Sequence, residues 1–237
     1  MCHNEAGTGA AMISVYCFSA TGHSRAAARY LAQSLQCRLY ELPELSAEPA
    51  DTAVVVFPVY CQNMPEPVKP FLASLEAKYV ALVATYGKMG CGNVLWEAAK
   101  LVKGTVIAGA YVPTGHTYLQ EPPVNDYSAL LPMIDRIRSA QPVIIPRRKK
   151  WWLADRFPGL RSRIGVRMKK TDACVSCGLC SRNCPMGSME NGKSGKDCIR
   201  CLRCAAECPK QAIQVNCHPL LRFYLRKSRQ NEWILYL

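Results

Sequence analysis

The chain has 237 residues, enough for one domain of ordinary size and a second, small one. Hydrophobic residues make up 49% and charged residues 20%, which is the composition of a globular protein. No run of about 18 apolar residues occurs, so the sequence predicts no membrane-spanning helix. The segment MCHNEAGTGAAM at the start is short and polar, and we therefore expect no cleaved signal peptide.

The formal net charge of +13 is concentrated in the second part of the chain. Residues 1–140 contain 10 Lys and Arg against 11 Asp and Glu, whereas residues 141–237 contain 20 against 6. A basic surface of this kind suits an acidic protein, an anionic lipid surface or a nucleic acid. The sequence contains no nucleic-acid recognition module, so we expect no nucleic-acid partner.

Residues 13–141, after an N-terminal extension of residues 1–12, alternate between apolar strands and helices. Continuous apolar runs such as TAVVVF are typical of parallel strands covered on both faces. We predict an α/β fold with a doubly wound, five-stranded parallel sheet, although periodicity does not give the strand order. The predicted strands are 13–18, 37–41, 52–57, 79–85 and 105–112, and the predicted helices are 24–36, 66–76, 93–103 and 125–140.

The turn after the first strand is rich in hydroxyl groups and opens a helix. Its sequence is Ser19-Ala20-Thr21-Gly22-His23-Ser24. Backbone N–H groups, hydroxyls and the positive end of the helix dipole would converge there, which suits a phosphate dianion. The turn matches neither a Walker A loop nor G-x-G-x-x-G. Thr21 or Ser24 acting as an ordinary N-cap is the alternative.

Long loops marked by Gly and Pro follow the third and fourth strands, at the sheet edge where ligands bind in open α/β folds. Each loop offers a tyrosine, Tyr60 or Tyr86, that could stack on a flat ring system; packing of these tyrosines on the loop backbone is the alternative. The candidate contact residues are Pro58, Val59, Tyr60, Cys61, Asn63, Thr85, Tyr86, Gly87, Gly90, Cys91 and Gly92.

Residues 142–170 form a basic linker with interleaved aromatics, and residues 217–237 form a C-terminal tail. We expect Trp151, Trp152 and Trp233 to pack against the two domains. Anchoring of these tryptophans at a bilayer interface is the alternative.

Eight of the fourteen cysteines occur in two copies of the pattern C-x2-C-x2-C-x3-C-P within residues 171–216. This is the ligand spacing of bacterial-type iron–sulfur proteins. A zinc ribbon would leave the third cysteine and the Cys-Pro of each copy surplus, and a disulfide framework would require an oxidising compartment. The pattern therefore predicts two 4Fe-4S clusters. The other six cysteines, most of which we expect to be small buried hydrophobes, are Cys2, Cys17, Cys37, Cys61, Cys91 and Cys217.

On these residues, 13–141 resembles a flavodoxin-like domain and 171–216 resembles a two-cluster bacterial-type ferredoxin, a small α+β domain. The order resembles that of the flavodoxin–ferredoxin fusion proteins of anaerobic prokaryotes. The resemblance implies noncovalent FMN, with its phosphate in the 19–24 turn and its ring at the loops after strands three and four, and a cytoplasmic setting. It also implies that the fourth cysteine of each copy ligates the other cluster. The implied ligand sets are Cys174, Cys177, Cys180 and Cys208 for one cluster and Cys198, Cys201, Cys204 and Cys184 for the other.

Two positions depart from the family pattern in the phosphate turn. His23 stands where a smaller polar residue is common, and Ala20 replaces a possible hydroxyl donor, so the site is poorer than usual. Arg25 either supplies compensating charge or is a solvated helix residue.

The leading hypothesis is an electron carrier that passes electrons between FMN, the two clusters and an external redox protein, which the basic surface suggests is acidic. The alternative is an FMN-dependent reductase of a small organic substrate. His23, His116, Tyr60 and Cys91 are then candidate proton donors or pocket residues, although the sequence assigns no catalytic role. The lack of a second dinucleotide fingerprint argues against direct NAD(P)H oxidation. Weak contact with a membrane surface and homodimer formation stay open.

Overall fold

The computed structural model describes residues 12–42, 50–155, 163–227 and 229–237. The N-terminal extension lies outside these ranges except for Met12. The first part of the chain alternates strands and helices as predicted. The strands are β1 (Ile13–Cys17), β2 (Arg38–Glu41), β3 (Ala50–Pro58), β4 (Ala77–Tyr86) and β5 (Thr105–Pro113), and the helices are α1 (His23–Leu35), α2 (Val68–Ser74), α3 (Val94–Ala99) and α4 (Leu131–Ser139).

These five strands are parallel and lie in the order β2-β1-β3-β4-β5, the flavodoxin-like doubly wound order. One face packs on α1 and α4 through residues such as Leu31 and Met133, and the other packs on α2 and α3 through residues such as Leu72 and Leu95. The chain thus has a mixed α/β fold with a mostly parallel central sheet. Because both faces are covered, the middle strands are continuous apolar runs.

The sheet has a sixth strand, so the prediction of five strands is wrong. Strand β10 (Ile234–Tyr236) pairs antiparallel with β5, placing Ile234 opposite Tyr111 and Tyr236 opposite Gly109. A three-residue apolar segment has too little periodicity to be recognised as a strand, and its pairing partner lies more than 100 residues away in the sequence. β10 covers the β5 edge, which would otherwise expose unpaired backbone groups.

Tyr86 fastens the segment that leads into β10. Its hydroxyl donates a hydrogen bond to the Glu232 carbonyl at 2.7 Å and accepts one from the Glu232 N–H at 3.1 Å. We expect Tyr86→Phe to lower the free energy of unfolding by about 1–3 kcal/mol, since both backbone groups lose their partner. Denaturant unfolding measures this, with Tyr79→Phe on the same strand as a control that should change it by less than about 0.5 kcal/mol. Equal effects of the two substitutions would contradict the fastening role.

The cysteine-rich part forms a second unit with an internal repeat. Its elements are β6 (Val166–Lys170), α5 (Leu179–Arg182), β7 (Met189–Glu190), β8 (Lys193–Ser194), α6 (Arg203–Ala206) and β9 (Ile213–Cys217). β6 pairs with β9 and β7 pairs with β8, both antiparallel. Residues at matching positions of the two cysteine runs share left-handed backbone conformations, as at Ser176 and Arg200, or at Gly178 and Leu202. The two β-α-β halves are therefore similar in structure as well as in sequence.

The segment from 142 to 155 packs on the α/β unit and is not a free linker. The Val143 N–H donates to the Val106 carbonyl at 2.9 Å, and the Lys150 ammonium forms ion pairs of 2.7 Å with Glu97 and 2.6 Å with Asp155. Residues 156–162 of the predicted linker lie outside the described residues.

The three expected tryptophan contacts differ in outcome. Trp233 packs edge-on against Tyr127, with ring centroids 6.2 Å apart, as expected. Trp151 is 41% exposed and Trp152 is 72% exposed, so the expected packing is wrong for Trp152. A further helix, α7 (Pro219–Lys227), follows β9 and lies within the C-terminal tail. Within the described ranges, no helix is both long and apolar enough to cross a membrane.

Candidate functional site

A cavity of about 760 Å³ opens at the carboxyl edge of the sheet, where the strand order reverses between β1 and β3. This switch point is where doubly wound folds bind ligands, and the volume is typical of small-molecule sites. The loops after β1, β3, β4 and β5 line the cavity, together with a segment of the cysteine-rich unit. From the predicted phosphate turn, the lining residues are Ser19, Ala20, Thr21, His23 and Ser24.

The 19–24 turn presents the uncapped amino end of α1 to this cavity. Gly22 is the N-cap residue with φ of 93°, a conformation that glycine adopts without strain. No side chain caps the helix, and its first turn contains no acidic residue. The helix amino end therefore keeps the positive potential that favours an anion, and the N-cap alternative is wrong for Thr21 and Ser24.

Hydroxyl hydrogen bonds fix the turn to the neighbouring strand ends. The Ser24 and Thr85 hydroxyls lie 2.7 Å apart, and those of Thr21 and Thr117 lie 3.1 Å apart. The turn is thus held by Thr85 near the end of β4 and by Thr117 in the loop after β5. Arg25 instead donates two hydrogen bonds of 2.6 Å to the Glu41 carboxylate, which neutralises the positive charge of the guanidinium.

The loop after β3 supplies a second wall, consisting of Pro58, Val59, Tyr60, Cys61 and Asn63. Burial, with a smaller effect from the neighbouring Cys201 thiol, holds the pKa of the Tyr60 phenol well above its usual value. Tyr60 is therefore a neutral aromatic side chain on the cavity wall.

Thr85 and Gly87 are the only members of the predicted β4-loop set on this wall among the described residues. A Cβ atom at Gly87 would lie 2.7 Å from the His116 imidazole, so glycine is needed for the loops after β4 and β5 to pack closely.

Four other predicted contact residues, Tyr86, Gly90, Cys91 and Gly92, do not line the cavity. Tyr86 and Cys91 are 3% and 5% exposed and belong to the core on the α2/α3 face, where the Tyr86 hydroxyl is already bonded. Gly92 packs against Gln62, and a Cβ there would lie 2.8 Å from the Gln62 carbonyl oxygen. The prediction that Tyr86 stacks on a ring is therefore wrong, and this stretch supports the β3 loop from behind.

Apart from His116, which was a candidate pocket residue, the sequence prediction missed the loop after β5, which contributes residues 114–118 to the cavity. The Tyr118 N–H donates to His116 Nδ1 at 3.2 Å, and burial lowers the pKa of His116 to about 4. His116 is thus a neutral imidazole at pH 7 with its proton on Nε2. Burial also lowers the pKa of His23, whose Nδ1 lies 3.1 Å from the Thr114 hydroxyl. The loop's position after the fifth parallel strand was the available signal.

The structure gathers the eight repeated cysteines around two small cavities. One is lined by Cys174, Cys177, Cys180 and Cys208. The other is lined by Cys184, Cys198, Cys201 and Cys204. Each cavity thus collects three cysteines from one run and the fourth from the other run.

Hydrogen bonds to sulfur follow the same repeat. The Ser188 N–H donates to Cys184 Sγ, and the Ala212 N–H donates to Cys208 Sγ, both at 3.3 Å. In addition, the Arg200 guanidinium donates to Cys198 Sγ at 3.3 Å. Such donors stabilise negative charge on sulfur.

Neither cysteine set is arranged for a single metal ion. Across the part of the chain that the structure describes, no group of three or more His, Cys, Asp or Glu side chains could hold one ion. Among the other described cysteines, Cys17 and Cys91 are buried as expected, whereas Cys37, Cys61 and Cys217 are half-buried.

Two contacts fix the cysteine-rich unit to the large cavity. The Tyr118 hydroxyl donates to the Arg200 carbonyl at 3.1 Å, and the Arg203 guanidinium donates to the Ser19 carbonyl at 2.6 Å. Arg203 is only 7% exposed and lies over the Phe18 ring at 5.8 Å. Its buried charge therefore links the 19–24 turn to the second cysteine run.

Comparison with solved structures finds proteins that cover about half of this chain. A protein of Bacteroides eggerthii assigned as a flavoprotein is 18% identical over 53% of this chain and 99% of its own, with a TM-score of 0.40. A flavodoxin from the domain Archaea is 16% identical over 46% and 90%, with a TM-score of 0.37. A short-chain flavodoxin associated with a bacterial microcompartment is 20% identical over 54% and 93%, also with a TM-score of 0.37.

No protein-family model and no curated protein sequence matches the chain. All three TM-scores are below 0.5, so these similarities do not support a functional assignment.

Proposed function

We propose that this protein is an electron-transfer flavoprotein that binds FMN in the large cavity and a 4Fe-4S cluster at each cysteine set. It passes electrons between flavin, clusters and an external redox protein. The observation that carries the proposal is that Cys198 and Cys201, which line one of the small cysteine cavities, also line the large cavity that contains the 19–24 turn. FMN exchanges two electrons overall and each cluster exchanges one, so the combination connects two-electron with one-electron chemistry.

The residues of the large cavity fit FMN. The uncapped amino end of α1 and the hydroxyls of Ser19, Thr21 and Thr117 suit the phosphate. Tyr60, Val59 and Pro58 offer apolar surface for the ring system. The pocket lies at the β1/β3 switch point, where the flavodoxin-like fold binds FMN.

The cysteine sets fit two 4Fe-4S clusters. Each has four thiols around a small cavity, and the thiol that comes from the other run accepts a backbone N–H in each set. On this basis residues 171–216 act as a two-cluster ferredoxin domain, and residues 13–141 act as the flavodoxin-like FMN domain. The basic surface of the second part suits an acidic redox partner.

Of the two hypotheses from the sequence, the electron carrier is favoured over the reductase. Two of the four candidate proton donors are engaged or displaced: the His23 ring lies within hydrogen-bonding distance of Thr114, and Cys91 lies in the core. The remaining two, His116 and Tyr60, are neutral groups that can line a flavin site without transferring a proton.

The test is an anaerobic purification in which iron, sulfide and flavin are quantified on one sample, followed by a reductive titration. We expect about eight iron, eight sulfide and one FMN per chain. Visible absorbance should follow the flavin, and electron paramagnetic resonance (EPR) should follow two reduced clusters.

Two outcomes would each remove one half of the proposal. Full iron with no flavin, even after FMN is added, would exclude the flavin half and leave a ferredoxin carried on an α/β scaffold. Zinc in place of iron would exclude the cluster half.

A further inference from the structure

The two cysteine sets differ in their relation to the large cavity. Cys198 and Cys201 line both their own small cavity and the large one, and so do Met186 and Ile199. Of the described residues, no member of the Cys174 set lines the large cavity. The name inner set is used for Cys184, Cys198, Cys201 and Cys204, and outer set for Cys174, Cys177, Cys180 and Cys208.

Exposure separates the two sets in the same way. In the inner set, Cys198 and Cys204 are buried, each 8% exposed. In the outer set, Cys177 is exposed, and the neighbouring Val175 is 61% exposed. The inner set is thus enclosed between the cavity and the rest of the unit, whereas the outer set is near solvent.

Contacts within one chain hold the inner set against the large cavity. The Arg200 carbonyl accepts from the Tyr118 hydroxyl, while the Arg200 guanidinium donates to Cys198 Sγ. Three residues further on, the buried Arg203 donates to the Ser19 carbonyl in the phosphate turn. The same short segment therefore contacts an inner-set sulfur and two loops of the cavity.

We propose that the flavin exchanges electrons with the inner-set cluster of its own chain, and that the outer-set cluster does not contact the flavin site. This inference rests on the proposed function and adds the order of the carriers. In the direction of flavin oxidation, each step moves one electron: the reduced flavin is oxidised and the inner cluster is reduced. The inner cluster is then oxidised and the outer one reduced, and an external one-electron acceptor protein is reduced last. Full oxidation of the flavin takes two such passes and reduces two equivalents of the acceptor. Flavin protons leave to water.

The test uses the whole chain with both clusters, in flavin-free and FMN-loaded forms. EPR-monitored redox titration gives a midpoint potential for each cluster. Two arginine substitutions assign the signals. Arg200→Gln removes the cation at Cys198 Sγ, and Arg182→Gln removes the exposed arginine that donates to the Cys177 carbonyl at 3.1 Å. Each should lower the potential of its own cluster, because a nearby cation favours the added electron.

We expect FMN addition to shift the signal that Arg200→Gln shifts and to leave the signal that Arg182→Gln shifts unchanged. The shift should not depend on protein concentration, since the contacts lie within one chain. The inference would be overturned if bound FMN shifts only the Arg182-sensitive signal, if it shifts both signals, or if it shifts neither. A shift that grows with protein concentration would also overturn it, because a second copy would then supply the cluster.

These failures differ from failure of the proposed function. If the protein binds no FMN or lacks iron, the stoichiometry measurement fails before any titration is done. If flavin and both clusters are present and the wrong cluster responds, only the order of the carriers is overturned.

Discussion

Replacing Cys204 by alanine is expected to lower the iron content from about eight to about four atoms per chain. Cys204 is 8% exposed, lines the small cavity of the inner set and packs in the small core with Met189 and Ile213. Alanine keeps an apolar residue in that core but removes one of the four sulfurs, and a three-sulfur site loses most of its hold on a cluster. The measurement is iron and sulfide per chain after anaerobic purification, with the EPR signal of the remaining cluster.

Two further variants serve as controls for Cys204→Ala. Cys180→Ala, the matching position of the first run, should also remove about four irons, but from the outer set. Cys217→Ala, at the end of β9 and outside both sets, should keep all eight. Flavin content should be retained in all three, since the α/β unit has its own core. Undiminished iron in Cys204→Ala would remove the basis for an inner cluster.

Replacing Thr21 by aspartate is expected to weaken FMN binding at least about 100-fold, or about 2.7 kcal/mol. Thr21 lines the cavity next to the uncapped amino end of α1. A carboxylate there would cancel the positive helix end and repel the phosphate dianion; one pair of unit charges at 4 Å costs about 4 kcal/mol at an effective dielectric constant of 20. Flavin fluorescence quenching measures the dissociation constant.

Thr21→Asn is the matched control because it has the shape of aspartate without its charge, and we expect it to weaken FMN binding less than about 10-fold. Riboflavin lacks the phosphate, so its dissociation constant reports the effect of each substitution on packing without the repulsion between the aspartate and the phosphate. Its affinity should be almost the same for Thr21→Asp and Thr21→Asn. If the aspartate variant loses riboflavin and FMN to the same extent, the phosphate does not lie at this turn.

The central parallel strands could be predicted from the sequence because they are apolar runs covered on both faces, as in β3 and β4. The 19–24 turn could be placed because it directly follows β1, and a turn at a strand's carboxyl end lies at the binding edge. The two cysteine groupings were implied by the resemblance to ferredoxins, which rests on the repeated C-x2-C-x2-C-x3-C-P spacing. All three features depend on local pattern.

What the sequence could not give depends on contacts between distant residues. Nothing local distinguishes Tyr60, which lines the cavity, from Tyr86, which turns into the core to hold Glu232. Nothing local distinguishes Arg203 from the other basic residues of the cysteine-rich part, yet it is buried and donates to the Ser19 carbonyl, 184 positions earlier. Such partners are decided by how the two units pack, and one sequence contains no direct record of that.

The return of the chain to β10 gives the cysteine-rich unit two covalent attachments to the α/β unit. One runs through the packed 142–155 segment, and the other runs through α7 and the segment fastened by Tyr86. The cysteine-rich unit is therefore an insertion in the α/β fold, connected to it at both ends and not by a single linker. Attachment at both ends restricts how far this unit can move from the large cavity, so under the proposed function the gap between flavin and cluster should vary little. Internal electron transfer should accordingly be insensitive to solvent viscosity.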